Sequence, residues 1–195
     1  MSVRKTVLLV AAASITALLA IEYLRLLKPA QAREVEAACR GLKPTQNNRA
    51  LGVLPTRAPD FEAQDHTGKM VKLSDYRGKV VLLRFWGSWC ETCKAEQPSL
   101  EEVAASGGDL AVLAVASDTE WEPIRKKFSG GSNATVLLDP PDEGAIGPVA
   151  EAYGVGAVPE SFIIDREGIV RYYLVNRRDW RGAVARTCLR SILDE

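Results

Sequence analysis

The sequence predicts an α/β protein in which helices cover both faces of a mixed β-sheet, with an N-terminal transmembrane helix in front of it. Three observations lead to this fold class. Apolar strand-like runs alternate with helical segments from about residue 58 onward, the last two strands have the pattern of a hairpin followed by a helix, and an uncharged run fills much of the first thirty residues.

Length and composition fit one globular domain with an additional segment. The chain has 195 residues, 47% of them apolar, and its 25 basic residues balance its 25 acidic ones. A neutral chain has no basic surplus for binding nucleic acid, so we expect no nucleic-acid partner.

The N-terminal segment, residues 1–30, is predicted to be a membrane anchor. Arg4 and Lys5 precede the uncharged run at residues 6–21. A helix extended from there to Leu27 would be about 33 Å long, against a hydrocarbon core of about 30 Å. The positive flank predicts a cytoplasmic N-terminus and an exported domain. A cleaved signal peptide is the alternative, because residues 30–32, Ala-Gln-Ala, fit the cleavage pattern.

Residues 31–57 are predicted to form a short helix and a linker, and residues 58–195 the folded domain. Apolar runs and turn residues then give the following order of elements. We expect a hairpin turning at residues 65–68 and a helical turn, a buried strand at 79–86, a helix from the paired cysteines to Ala105, a strand at 110–116, a helix capped by Thr119, a strand at 134–139, a short helix at 147–155, a hairpin turning at 166–168, and an amphipathic helix capped by Asp179.

Cys90 and Cys93 lie in the stretch FWGSWCETCKAEQP, and their spacing permits a metal site, a structural staple or a redox pair. A zinc or iron–sulfur site normally needs four ligands, and the one histidine, His66, falls in a predicted turn. Haem attachment would require histidine where Lys94 stands. We therefore expect no metal.

A redox pair accounts best for the two cysteines. They lie where a buried strand gives way to a helix, so the Cys90 sulfur is expected near the free N–H groups of the first turn, which favour a thiolate. Cys93 follows on the same helical face and can close back onto the first sulfur. A staple across so short a loop would constrain little of the unfolded chain.

The stretches VVLLRFWGSWCETCKAEQPSL and YGVGAVPESFIIDREG resemble the thioredoxin superfamily, and most closely its membrane-tethered TlpA/ResA and DsbE/CcmG group of bacterial thiol-disulfide oxidoreductases. The resemblance implies a thioredoxin-like fold and no cofactor beyond the redox-active disulfide. By the same resemblance, Cys90 is the attacking nucleophile, Cys93 the resolving thiol, Trp89 the flanking aromatic and Pro159 the cis-proline that exposes the Val158 backbone to a client.

Three residues depart from the group's usual pattern and are predicted to tune the redox pair. Glu91 and Thr92 stand between the cysteines, and Glu91 should disfavour the thiolate. Arg84 occupies a strand position where thioredoxins carry a buried Asp and the tethered group commonly an Asn. A cation there must be paired, with Glu91 and Glu96 as candidate partners, or partly solvated. If its charge is felt at the sulfurs, it stabilises the reduced form.

Cys39 and Cys188 lie outside the motif, and in an oxidising compartment two spare cysteines are expected to pair. Some TlpA-like proteins join an extra N-terminal helix to the C-terminal helix in this way. Such a bond would close a long loop and contribute about 4 to 5 kcal/mol in the chain-entropy model. Two unpaired buried thiols are the alternative.

These observations predict a membrane-anchored, outward-facing thiol-disulfide oxidoreductase. The resemblance favours reduction of a protein client, either an apocytochrome c or a copper-site protein, with electrons from a membrane thiol donor. One alternative is a thiol peroxidase of the AhpC/TSA type, although neither Cys90 nor Cys93 has the proline of that type's peroxidatic site. The other alternative is a non-catalytic protein that delivers copper through its two thiols.

Overall fold

The computed structural model describes residues 3–128 and 130–195, and for residues 3–12 and 24–29 it describes the backbone alone. Within these residues, helices and strands follow one another in the order predicted from residue 58 onward. The elements are α1 (Val3–Arg40), β1 (Asn47–Asn48), β2 (Gly52–Val53), β3 (Thr56–Arg57), β4 (Glu62–Asp65), β5 (Met70–Lys72), a 3-10 turn (Leu73–Tyr76), β6 (Val80–Trp86), α2 (Glu91–Ala105), β7 (Leu110–Ala116), α3 (Trp121–Lys127), β8 (Thr135–Leu138), α4 (Pro148–Ala152), β9 (Glu160–Ile164), β10 (Ile169–Val175) and α5 (Ala183–Leu193).

Eight of these strands form one mixed sheet in the order β3-β10-β9-β6-β7-β8-β4-β5. Strands β6, β7 and β8 are parallel, whereas β9 pairs antiparallel with β6, and β4 antiparallel with β8. The carboxyl ends of β6 and β7 therefore lie side by side, next to the start of β9. This edge of the sheet carries the cysteine motif.

Strand β6 lies at the centre of the sheet, and all seven of its residues are buried. Such a strand has apolar neighbours on both faces, which explains its uninterrupted apolar sequence. Leu82 and Trp86 belong to the core cluster that also contains residues of α1, α2, α3 and α5. Leu83 and Phe85 belong to the cluster on the opposite face, with Tyr153 beside α4. The prediction of a mixed sheet covered on both faces is confirmed.

The part of the chain that the structure describes does not show the N-terminal transmembrane helix predicted for residues 1–30. Within the described residues, no helix combines the length and the apolar character needed to cross a membrane. Of the predicted span, the side chains of residues 1–12 and 24–29 lie outside those described. Helix α1 runs through residue 30 without a break, and the domain boundaries at residues 30 and 57 stay predictions.

Two predicted helix caps are wrong. Helix α3 begins after Glu120 instead of after Thr119, and Glu120 makes no side-chain capping bond. Helix α5 begins after Gly182, three residues beyond Asp179. Trp180 accounts for the later start of α5, because this residue is fully buried and its backbone N–H donates to the Ser99 hydroxyl at 3.2 Å. The chain must complete that inward turn before a helix can begin.

Residues 41–57 also differ from the predicted linker, because they contain the two-residue strands β1, β2 and β3. Strands β1 and β2 pair with each other, and β3 adds to the edge of the main sheet through β10. Pairs this short carry no alternation of apolar and polar residues, so the sequence pattern could not indicate them.

Candidate active site

Cys90 is the N-cap residue of α2, with an extended backbone at φ −87° and ψ 109°. The backbone N–H of Cys93 points at its sulfur, with an N···Sγ distance of 3.1 Å. The two cysteines are joined in a disulfide with a Cα–Cα distance of 5.2 Å, so the structure holds the oxidised motif. The predicted position of the Cys90 sulfur, at the free N–H groups of a helix N-terminus, is present.

The two sulfurs differ in their access to a partner. Cys90 keeps 5% of its surface exposed, whereas Cys93 is fully buried one helical turn further in. The hydroxyl oxygen of Thr92 lies 3.3 Å from the Cys90 sulfur, and the carbonyl oxygen of Val158 lies 3.6 Å from it. An incoming sulfur could therefore reach Cys90 before it could reach Cys93. The Cys93 N–H and the Thr92 hydroxyl are two donors in place for a thiolate on Cys90.

Pro159 lies at the start of β9, where Glu160 pairs with Phe85 of β6, and the Val158–Pro159 peptide bond is cis. The antiparallel pairing of β9 with β6 is what brings this loop beside the cysteine motif. The structure thus brings together Cys90, Cys93 and Pro159 from two separate parts of the sequence.

Trp89 is 51% exposed on the surface beside Cys90. Its indole N–H donates to the Ser117 carbonyl at 3.1 Å. A Cβ atom at Gly87 would lie 2.6 Å from atoms of the indole ring, so the glycine leaves the space that this ring position requires. A fixed aromatic surface therefore borders the exposed side of the motif.

Ser88 and Asp118 form a contact that the sequence did not indicate. The Ser88 backbone N–H and hydroxyl both donate to the buried Asp118 carboxylate, at 2.9 and 2.5 Å. Asp118 follows the carboxyl end of β7, beside the end of β6. A polar residue at that point is the signal that could have predicted its role, which is to hold the loop in front of Cys90.

Arg84 lies beneath the motif on the same face of β6 as Trp86, and its guanidinium carbon is 5.6 Å from the centre of that ring. Its Nε donates to Glu96 at 3.0 Å, and both side chains are fully buried. Burial lowers the pKa of the Arg84 guanidinium, and the carboxylate of Glu96 opposes that shift. Of the possibilities left open by the sequence, the structure shows pairing with Glu96.

Glu91 extends into solvent and forms an ion pair with Lys94. The hydrogen bond that Lys94 donates to Glu91, together with the charge of Lys94, lowers the pKa of Glu91, and the same bond raises the pKa of Lys94. The negative charge that was expected to act on the nearby sulfur is thus offset by a lysine on the same helix.

Glu160 is a buried carboxylate directly after Pro159, and it accepts a 2.7 Å hydrogen bond from the Tyr173 hydroxyl. Burial raises the pKa of Glu160, while the bonds from Tyr173 and from the Gly156 and Ala157 backbones act in the opposite direction. Sequence reasoning did not single this residue out, although a charged residue at the start of a buried strand is a usable signal.

The second pair of cysteines is remote from the motif along the chain. Cys39 at the end of α1 and Cys188 in α5 form a disulfide with a Cα–Cα distance of 4.5 Å. Both are fully buried in the core cluster shared by the two helices. They connect the N-terminal helix to the C-terminal one.

No group of three or more His, Cys, Asp or Glu side chains in the described part of the chain is arranged to hold a metal ion. A cleft of about 310 Å³ lies between α3 and β8, with Trp121, Phe128 and His66 in its wall. Its lining includes neither Cys90 nor Cys93, so the chemistry of the motif takes place elsewhere.

Comparison with known proteins connects this geometry to one family. The model of the AhpC/TSA family matches residues 55–173. The thiol-disulfide oxidoreductase ResA of Geobacillus thermodenitrificans is 35% identical, over 58% of this chain and 64% of the relative. The chain thus spans slightly less than two thirds of the length of that curated relative.

Solved structures give the same result for the fold. A protein assigned as thiol:disulfide interchange protein DsbE from Chlorobium tepidum superposes with a TM-score of 0.61 at 33% identity, covering 71% of this chain and 96% of that one. The exposed lipoprotein thioredoxin of Streptococcus pneumoniae gives 0.56 at 31% identity, covering 70% of this chain and all of that one. The fold described above is therefore thioredoxin-like.

Proposed function

The chain belongs to the AhpC/TSA family, and from this premise we propose that it is a thiol-disulfide oxidoreductase that reduces disulfides in protein clients. The observation that carries the proposal is the Cys90–Cys93 disulfide at the N-terminus of α2, with one sulfur near the surface and the other buried. The names of the similar ResA and DsbE proteins support the same chemistry.

The proposed reaction starts from the reduced pair. The Cys90 thiolate attacks one sulfur of the client disulfide, an S–S bond forms between them, and the second client sulfur leaves as a thiolate that takes up a proton. The Cys93 thiol then loses its proton and attacks the Cys90 sulfur, which releases the first client sulfur as a thiolate. Two electrons have passed to the client, and the motif ends as the disulfide seen in the structure.

We further propose the cellular setting. The positive flank and uncharged run of residues 1–30 support an anchor in a bacterial inner membrane with the domain in the periplasm, or else a cleaved signal peptide. A membrane thiol donor would restore the dithiol, and no cofactor beyond the Cys90–Cys93 pair is needed. An apocytochrome c or a copper-site protein is the proposed client.

The test compares Cys90→Ser with Cys93→Ser in the full chain, incubated with membrane extracts. We expect Cys90→Ser to abolish exchange, and Cys93→Ser to accumulate mixed disulfides that non-reducing electrophoresis and mass spectrometry identify. Capture of an apocytochrome would favour haem-site reduction, and capture of a copper-centre protein the other client. Identical behaviour of the two variants would contradict the assigned roles, and turnover of hydrogen peroxide by the wild type would favour the peroxidase alternative.

A further inference from the structure

Each of the three guanidinium nitrogens of Arg84 donates to the helix that carries the cysteines. Nε donates to Glu96 at 3.0 Å, Nη1 to the Gln97 side chain at 3.2 Å, and Nη2 to the backbone carbonyl of Cys93 at 2.8 Å. Arg84 lies on the central strand and is fully buried. One side chain thus fastens the first two turns of α2 to the middle of the sheet.

Glu96 is held from several directions at once. In addition to Arg84, it accepts a 2.7 Å bond from the indole N–H of Trp180 and a 3.2 Å bond from the backbone N–H of Arg178. Its carboxylate therefore has a fixed position one turn after Cys93. Because both ions are out of water, little solvent screens either charge, and each has the other as its direct ionic partner.

We propose that Arg84 is a positioning residue that holds the start of α2 on β6 and cancels the charge of Glu96 beneath the cysteines, thereby setting the balance between dithiol and disulfide. This inference rests on the proposed function, because it concerns the same redox pair. It identifies a residue outside the Cys90–Cys93 motif that affects the free energy of disulfide exchange.

The direction of the effect follows from the charges. Reduction of the disulfide at neutral pH creates negative charge on Cys90 as its thiol ionises. Without Arg84, the Glu96 carboxylate would face that charge uncompensated, and like charges disfavour each other. The thiolate and the reduced state would both lose stability. Without the charge of Glu96, the remaining arginine would have the opposite effect.

Other charged groups surround the motif, and substitutions at residues 84 and 96 leave them in place. Glu91 and Lys94 lie on α2 itself, with Lys127 of α3 close enough to affect both. Asp118 approaches from the end of β7, and Glu160 from the start of β9. Their contributions cancel when variants at residues 84 and 96 are compared with the wild type.

The test is a double-mutant cycle on the full chain, equilibrated with glutathione redox buffers at pH 7. We expect Arg84→Gln to shift the equilibrium about tenfold toward the disulfide, which is about 30 mV for this two-electron couple. Glu96→Gln should shift it in the opposite direction, and the double variant should return close to the wild type. The pH dependence of Cys90 alkylation gives the apparent pKa of this thiol. We expect that pKa to be higher than in the wild type for Arg84→Gln, lower for Glu96→Gln, and close to the wild type for the double variant.

Two further variants distinguish the effect of the charge at residue 84 from a general effect of substitution on the folded protein. Arg84→Lys keeps the charge but loses the planar guanidinium that bonds Gln97 and the Cys93 carbonyl, so we expect a shift toward the disulfide that is smaller than that of Arg84→Gln. Arg166→Gln removes a cation near the opposite end of β9, where its side chain bonds the Leu193 carbonyl at 2.8 Å, and should leave the equilibrium unchanged. If Arg84→Gln alone fails to fold, the double variant compared with Glu96→Gln still isolates the effect of the charge at residue 84.

Shifts of the same sign in both single variants, or no shift in folded protein, would overturn the role of Arg84. The glutathione equilibrium needs no client. A wild type that exchanges with glutathione but captures no protein client would therefore contradict the proposed function and leave the assignment of Arg84 standing.

Discussion

Glu160 shows how a single residue near the motif can make stability depend on pH. Its carboxyl group is buried beside Pro159, and burial is the largest cause of its raised pKa. For an acid whose pKa is higher in the folded state than in the unfolded state, the protonated form favours folding. That contribution is present at low pH and is lost as pH rises through the folded pKa.

Glu160→Gln should remove this dependence, because the glutamine oxygen can still accept from Tyr173 and carries no charge to bury. We expect the free energy of unfolding of the wild type, relative to the variant, to fall as pH rises from about 4 toward 7, since the unfolded side chain titrates near its ordinary pKa of about 4.3. Urea denaturation at each pH measures the difference. Glu167→Gln, at an exposed turn, serves as the control, and parallel curves for Glu160→Gln and the wild type would contradict the prediction.

Helix α4 shows how a short element depends on a distant residue. Its Val149 and Ala150 N–H groups each donate to the Asp139 carboxylate at 3.0 Å, although Asp139 directly follows β8 and lies in the loop ahead of the helix. Gly147, the N-cap of α4, passes so close that a Cβ atom there would overlap the carbonyl and carboxylate of Asp139. A five-residue helix thus has its start fixed by a carboxylate outside it.

Gly147→Ala should therefore destabilise the protein by about 1 to 3 kcal/mol, because the added methyl group must displace the Asp139 backbone or its carboxylate. Gly156→Ala is the matched control, since a Cβ atom at that position meets nothing within 4 Å. Urea denaturation of both variants gives the comparison. Equal losses of stability would mean that the contact with Asp139 is not what restricts position 147.

The elements that could be predicted are those with long, regular patterns. The uninterrupted apolar runs of β6 and β7, the hairpin at β4 and β5 and the helix after Cys90 all agree with the structure. The caps at Thr119 and Asp179 were wrong because the start of a helix also depends on contacts distant in sequence. Trp180 illustrates this, because its partners Glu96 and Ser99 belong to α2, far earlier in the chain.

At the site, too, the contacts that the sequence did not predict are those between residues distant in sequence. Local order predicted the sulfur of Cys90 at a helix N-terminus, and the sequence offered Glu96 as one of two candidate partners for Arg84, which is the partner that the structure shows. The Ser88–Asp118 and Glu160–Tyr173 contacts join residues from different strands and loops. Neither pair has a local pattern, so only the three-dimensional fold brings them together.

In the molecule as a whole, the disulfide between Cys39 and Cys188 joins residues 149 positions apart. A bond that closes so long a loop restricts the unfolded chain strongly and contributes about 5 kcal/mol in the chain-entropy model. Its two helices, α1 and α5, also pack through Val35 and Leu189 in a shared core cluster. The covalent bond and the packing act on the same pair of elements.

Replacing both Cys39 and Cys188 with serine should lower the free energy of unfolding by about 2 to 5 kcal/mol and leave exchange by Cys90 intact. Denaturation curves and the glutathione equilibrium measure the two properties separately. The single variant Cys39→Ser leaves an unpaired thiol and is the less informative comparison. Alkylation of both positions in denatured, non-reduced wild type would contradict the bond.

Helix α1 is continuous from Val3 to Arg40, and its last turn is bonded to the domain through Cys39. With residues 1–30 as the proposed anchor, residues 31–40 are the part of α1 that leads from it to the domain, and a helix of that length spans about 15 Å. Because these residues are helical, they act as a short, stiff spacer and not as a flexible linker. Such a spacer would hold the redox face at a set distance from the anchor and within a narrow range of orientations, so the local concentration of that face at a partner in the same membrane would depend on the geometry of the arm.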